Sequence, residues 1–467
     1  MLIVMVSETI VATALPAIAA SLGKIELIAW VVASYMICLA ITAPVYGRLG
    51  DAFGRRFLMV ISLSITLVGS VLCAVSVSME MLIVARAIQG IGGGGLVSLA
   101  LALLGQSVHP RDRVRFHGYI SVIGFGASAL GPVIGGFLTA NFGWQSVFLF
   151  NLPLGFAAIA LVYRLPPRTT PFEPFRFDYP GLILFAAFVW ALVILVQEFR
   201  QPVDLRILLS AGLAAIVVIS LTLLVGREKR ASNPLFPPSL LRNPSIWRCD
   251  AMAACHGAYF VSILTFIPLY LRAVHGKSVG EIGLMLLPIT VGIGIGSLIT
   301  GSVVSRTGKS AIFPSLGLVG IFLTIVFLGL WADVMPAIFL SAYLGLIALF
   351  MGTVMGVVQA TVQAESGSQL LGTATAAISL SRSLGGAVGT ALAGAVLFGI
   401  MAVNGVEIST ELQAVLQGGG AIGGFGSGAE STIRDEIAFA FHGVFFLIAF
   451  YSAISCYFAW TLPRRTL

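Results

Sequence analysis

Long apolar stretches alternate along this chain with short breaks of charge, glycine and proline. Cutting at the breaks predicts helices near 1–22, 28–49, 57–77, 80–104, 117–140, 144–163, 180–198 and 206–225, and a second set near 249–272, 280–303, 311–331, 334–358, 372–402 and 436–462. Most stretches hold about 20 residues with few charges, the length at which a helix crosses a hydrocarbon core about 30 Å thick. The pattern predicts fourteen spans and an all-α, polytopic membrane protein.

The breaks divide the chain further. Residues 1–163 form one set of six spans, 164–225 hold two additional spans, 226–248 make a basic, proline-containing linker, and 249–467 form a second set of six. Within the last set, 403–434 is rich in glycine and carries Glu407, Glu411 and Glu430, the composition of a flexible outer loop. A charged turn, Gly47-Arg48-Leu-Gly50-Asp51-Ala-Phe-Gly54-Arg55-Arg56, separates the second and third spans. It has an echo after the tenth span, where Gly301, Gly308 and Lys309 match Gly47, Gly54 and Arg55, and Ser305 stands in place of Asp51. A duplicated bundle explains the echo, and secondary transporters are commonly built from such repeats with their sites between them.

Composition agrees with the pattern. Of 467 residues, 58% are hydrophobic and only 10% charged, and the mean hydropathy is +1.03; a soluble domain carries roughly a quarter of its residues charged. The net charge of +7 comes from basic residues scattered through short loops, with no patch of interleaved aromatics for nucleic acid. Most of the 26 Lys and Arg fall in alternate loops, which places both termini and the 47–56 turn in the cytoplasm of a cell whose inner membrane the chain crosses. Cys38, Cys73, Cys249, Cys255 and Cys456 lack CxxC spacing and read as packing residues. The chain opens directly in an apolar run, so no cleavable leader is expected.

Few residues carry candidate chemistry. Gly90-Ile-Gly92-Gly-Gly-Gly95 formally matches a dinucleotide fingerprint but lies inside an apolar helix, where close helix packing is the expected role. Arg86 and Gln89, three residues apart, share a face of the fourth span; an arginine there either faces a cavity or snorkels to the surface. Glu8 is the one acid of the first span, either a proton-coupling carboxyl or a group at the helix mouth. Gly126, Gly131, Pro132, Gly135 and Gly136 make a small-residue seam in the fifth span that suits a helix rocking on its neighbour, or a static contact. Arg382-Ser-Leu-Gly385-Gly386-Ala-Val-Gly389 is a second seam with its own membrane arginine. Tyr35, His256 and Tyr259 are cavity candidates with packing as the alternative. No metal spacing or nucleophile–base pair points to an enzyme or a bound metal.

Taken in order, these stretches resemble the major facilitator superfamily, specifically its fourteen-span drug–proton antiporters of the multidrug and quaternary-ammonium exporter type. Gly47 to Arg56 resembles the signature loop, Arg86 to Gly90 the fourth-helix motif, Gly126 to Gly136 the fifth-helix antiporter motif, and Arg382 to Gly389 the thirteenth-helix motif. Thr9-Ile-Val-Ala-Thr-Ala-Leu-Pro16 and Trp144 to Gly155 are similar to the first- and sixth-helix motifs. Two positions depart: Ser7 stands where an acid is often found, with Glu8 one residue on, and Gln145 replaces a usual arginine. The resemblance implies a major-facilitator fold of two six-helix bundles with two additional central helices, and no cofactor beyond the proton-motive force.

The expected function is export of amphipathic or cationic organic compounds by proton antiport and alternating access. Glu8 and Arg86 would couple protons. Tyr35, Gln89, His256, Tyr259 and Arg382 would line the substrate cavity, and Gly47, Gly50, Asp51, Gly54, Arg55 and Arg56 would form a gating loop. The expected partners are a small organic substrate, protons and membrane lipid, with no nucleic acid; a monomer is expected, and a periplasmic adaptor stays open. An exporter of an endogenous metabolite, a non-transporting receptor or scaffold, and a channel are the alternatives.

Overall fold

In the computed structural model, residues 1–24, 27–165, 177–198, 207–231, 234–367, 369–404 and 427–463 are described. Every predicted span falls on a helix. The first set is α1 (Leu2–Leu22), α2 (Ile28–Phe53), α3 (Arg55–Ala74), α4 (Met79–Ser107), α5 (Pro110–Phe142), and the broken pair α6 (Gln145–Leu149) and α7 (Asn151–Tyr163). The additional pair is α8 (Tyr179–Glu198) and α9 (Ile207–Glu228), followed by the short α10 (Pro238–Arg242). The second set is α11 (Pro244–Ala273), α12 (Val279–Thr307), α13 (Ile312–Trp331), the broken pair α14 (Ala337–Gly352) and α15 (Met355–Glu365), α16 (Leu371–Asn404) and α17 (Ser427–Trp460). Among the described residues, 11 helices are long and apolar enough to cross a membrane unaided, and the bent α1 makes 12. Shorter apolar segments, Leu130–Phe142 of α5 and Tyr179–Leu195 of α8, are compatible with the fourteen expected.

Local chemistry explains the interruptions. α1 bends by 58° between Leu2–Val11 and Thr13–Leu22. Pro16 lies four residues beyond the bend, where its ring crowds the carbonyl of residue 12 and leaves it without an N–H partner. Gly54 (φ +98°) ends α2, and Gly308 (φ +69°) ends α12. These are the matched glycines of the sequence echo, and only glycine takes such angles at little cost.

The pairing of helices reveals the repeat. α2 lies on α4 as α12 lies on α14, α1 on α5 as α11 on α16, and α3 on α7 as α13 on α17. Between the bundles, α2 meets α16 and α5 meets α12, a pseudo-two-fold exchange. The pair α8 and α9 packs together and against α2, with Phe185, Val189, Leu224 and Leu235 buried in its own small core.

Two loop expectations need correction. Of the expected outer loop 403–434, residues 403–404 still belong to α16 and Ser427 already starts α17; residues 405–426 lie outside the described residues. The linker expected over 226–248 is largely helical: α9 runs on to Glu228, α10 fills its middle and α11 begins at Pro244. Proline at the first position of α10 and α11 suits a helix start, and Asn243 caps α11 by accepting from the Ser245 N–H.

Candidate functional site

The first assembly lies inside the N-terminal bundle and is built on Arg86. Its side chain is 1% exposed, so it does not snorkel. Nε donates to the Val31 carbonyl at 3.1 Å, and an Nη donates to Gln89 Oε1 at 2.5 Å. The guanidinium also lies 4.1 Å over the Tyr35 ring, an attraction that grows when water is excluded. Gln89 Nε2 donates to Ser70 Oγ at 2.7 Å, Asn151 Nδ2 donates to the same oxygen at 3.4 Å, and Ser7 Oγ donates to Asn151 Oδ1 at 3.0 Å. Five elements, α1, α2, α3, α4 and α7, are thereby tied to one buried cation.

Gln89 and Tyr35, expected to line a cavity, are buried at 0% and 1% and serve as partners of Arg86. Ser70 and Asn151 were not expected here. A serine inside an apolar run carries no distinguishing signal, and Asn151 stood out only as part of a longer motif. The glycine run 90–95 explains how α4 carries this group so close to its neighbours. A Cβ at Gly90 or Gly94 would strike the α2 backbone, and one at Gly92 the α3 backbone. That is helix packing through small residues, without a nucleotide loop.

Glu8 sits one residue beyond Ser7, about 100° round α1, and is half-exposed. The charges acting on it are Arg382 of the other bundle, the stronger, and Arg86. Arg382 is itself exposed to solvent, and the charge acting on it is that of Glu8 in the other bundle. His256 shares a 2.6 Å hydrogen bond with Tyr259 and stacks on Phe260. Tyr259 is fully buried and His256 7% exposed, so both are packed inside the second bundle. The Arg382 to Gly389 stretch presses α16 onto α11: a Cβ at Gly389 would stand 2.6 Å from Ala258 Cα, and one at Gly257 would strike the Arg382 carbonyl.

The second assembly joins the bundles at the 47–56 turn. Asp51 accepts from the Gly372 N–H at 2.9 Å, the Thr373 N–H at 2.9 Å and Thr373 Oγ1 at 3.0 Å. These donors are in the first turn of α16, whose unpaired N–H groups and dipole favour an anion. Arg55 completes the site, donating to Asp51 at 2.7 Å and to Gln106 Oε1 at 2.6 Å. The approach needs glycine on both sides: a Cβ at Gly47 would lie 2.7 Å from the Gly372 carbonyl, and one at Gly372 2.6 Å from the Gly47 carbonyl, while Gly50 lets α2 close on Leu99 of α4. Arg56 faces away, donating to the Tyr163 carbonyl at 2.9 Å.

The echo makes no such bond. Gly301 packs on α5, its Cβ position 2.6 Å from Arg115 Cα, but Ser305 donates only to the Ser302 carbonyl of its own helix. A nearby tie is Gln363, which donates to the Leu101 carbonyl at 3.0 Å and faces His117 at 3.4 Å.

The fifth-span seam resolves into two faces. A Cβ at Gly131 would stand 2.7 Å from Thr9 Cβ, and one at Gly135 2.7 Å from the Ile10 carbonyl, so these two hold α5 on α1. Gly126, Pro132 and Gly136 are exposed, and a Cβ at Gly126 or Gly136 meets nothing within 4 Å. Gly135→Ala is expected to cost about 1–3 kcal/mol, seen as a lower unfolding temperature of the purified protein, whereas Gly136→Ala leaves that temperature unchanged.

Two related bundles, a buried arginine network in one and a charged tie between them define a multi-pass helical membrane protein of the duplicated-bundle class. The chain belongs to the Major Facilitator Superfamily, whose model matches residues 1–390. It is 33% identical to an uncharacterised MFS-type transporter of Mycobacterium tuberculosis over 84% of this chain and 57% of that protein, so it spans little more than half that relative's length. It is 28% identical to multidrug resistance protein 3 of Bacillus subtilis over 92% of this chain and 82% of the relative. The fold is similar to that of the human organic anion transporter MFSD10, with a TM-score of 0.61, 16% identity, and coverage of 97% and 96% of the two chains.

Proposed function

We propose that this protein exports amphipathic organic compounds across the cytoplasmic membrane in exchange for protons, by alternating access between its two bundles. The observation that carries the reading is the inter-bundle tie of Asp51 to the first turn of α16. It closes one end of the molecule through a contact that has to break for the bundles to rock apart there. The multidrug resistance protein of Bacillus subtilis, similar over most of this chain, supports drug-like compounds as the cargo. The loop charges support a cytoplasmic position for this end and for both termini.

In the proposed cycle Glu8 carries the proton, because it is a half-exposed membrane carboxyl lying in the field of two arginines. Its neutralisation weakens the attraction between α1 of one bundle and Arg382 of the other. Arg86 holds the frame from which Glu8 projects.

The test is transport by the purified full chain in proteoliposomes, over a panel of amphipathic dyes, with and without an imposed pH gradient. Glu8→Gln is expected to abolish the acceleration by the gradient while counterflow exchange of dye persists. Gradient-independent flux in the unmodified protein overturns proton antiport.

A further inference from the structure

Arg382 lies eleven residues into α16, about 16 Å from the helix start and therefore deep within the span. Its side chain is reached by solvent and, among the described residues, makes no hydrogen bond or ion pair. Arg86 differs: three protein groups hold it, the Val31 carbonyl, Gln89 Oε1 and the Tyr35 ring, and it is 1% exposed. A membrane arginine left without a partner is costly, and such residues are retained where a water-filled cavity or an anion receives them. The guanidinium offers a planar fork of donors that matches a carboxylate. Glu8, the acid whose charge acts on it, belongs to the opposite bundle and forms no ion pair with it in this arrangement.

The surroundings suit the rest of an amphiphile. His256, stacked on Phe260, lies in the field of Arg382, and Ser383 is exposed beside it. The α11–α16 glycine seam fixes the backbone from which Arg382 projects, so the cation is held in place while its fork stays open.

We propose that Arg382 is the receptor for an acidic group of the transported compound, which makes aromatic amphiphiles bearing a carboxylate preferred cargo over their uncharged-ester counterparts. This rests on the export reading and narrows its substrate class.

The test uses two matched dyes, tetramethylrhodamine bearing a free carboxylate and its methyl ester. Binding to the purified full chain is read by fluorescence polarisation, and transport is read in proteoliposomes with an imposed pH gradient. The acid is expected to bind about ten-fold or more tightly than the ester, as for a charge-assisted hydrogen bond. Arg382→Gln is expected to bring the two affinities within about two-fold of each other, and Arg382→Lys to restore part of the preference. The lysine variant distinguishes loss of the charge from damage to the fold.

An unchanged acid-to-ester ratio in Arg382→Gln, or no preference in the unmodified protein while gradient-driven transport of the ester proceeds, overturns the inference and leaves the export reading standing. Failure of both dyes to move under any gradient overturns the export reading and the inference together.

Discussion

Arg86→Ala is expected to lower gradient-driven transport at least 100-fold and to reduce the yield of folded protein. The side chain is the donor on which the N-terminal network depends: without it the Val31 carbonyl loses a bond, Gln89 Oε1 is orphaned and Tyr35 faces a void. Each buried polar group left unpaired costs about 1–3 kcal/mol, more in a bilayer where little water replaces the lost donor. Arg86→Lys separates the two effects. Lysine keeps the charge but lacks the planar fork that reaches a carbonyl and an amide together, so its yield should recover further than its transport. The measurement is initial flux in proteoliposomes, normalised to monodisperse protein. Transport by Arg86→Ala within three-fold of the unmodified rate would remove the network from the mechanism.

The second large effect is expected at the junction of the bundles. Asp51→Asn removes the charge that accepts from Gly372, Thr373 and Arg55, and an amide nitrogen in place of one oxygen would face donors. Breaking one partner of a buried ion pair typically costs about 3–5 kcal/mol, and here the loss falls on one arrangement of the bundles only. The population should shift by about 100-fold or more toward the arrangement in which α2 and α16 are separated. Cysteines placed at exposed positions near that junction would report the shift as faster labelling, and transport should fall in parallel. Ser305→Ala at the matched position of the repeat is expected to change transport by less than two-fold, because its hydroxyl bonds only within its own helix. Equal, minor effects of both substitutions would reduce the turn to a determinant of topology.

The fold was legible because hydrophobic length is what a bilayer selects. Fourteen stretches near 20 residues left little freedom, and the matched glycines 54 and 308 announced the duplication before any contact was known. Arg86 and Gln89 were readable as a pair from their spacing, and Asp51 stood out as the one acid in a basic turn. The helical start of α17 at Ser427 was hidden by the glycine-rich sequence before it. Which glycines of the fifth span face α1 was not legible either, since the stretch 129–138 around them holds no polar side chain from which to read its rotation. Tyr35 looked like a cavity residue because a tyrosine among aliphatics draws attention; its ring is the floor beneath Arg86. Ser70, the point where Gln89 and Asn151 converge, has no signal of its own in one sequence.

That convergence limits how a proton can travel. Arg86 can only donate, so Gln89 must present its oxygen to the guanidinium and its NH2 to Ser70. Ser70 therefore receives hydrogens from Gln89 and Asn151 and gives its own to the Thr66 carbonyl. Every bond points inward to one hydroxyl whose hydrogen is already committed to the backbone. Such a network is not a wire: Asn151 is aligned to pass from Ser7 towards Ser70, but Gln89 points the opposite way and the Arg86 guanidinium has no acceptor to receive a hydrogen. On the proposed export reading, a proton carried by Glu8 would then enter and leave by a route other than this network, and the buried lattice beside it would act as an insulator.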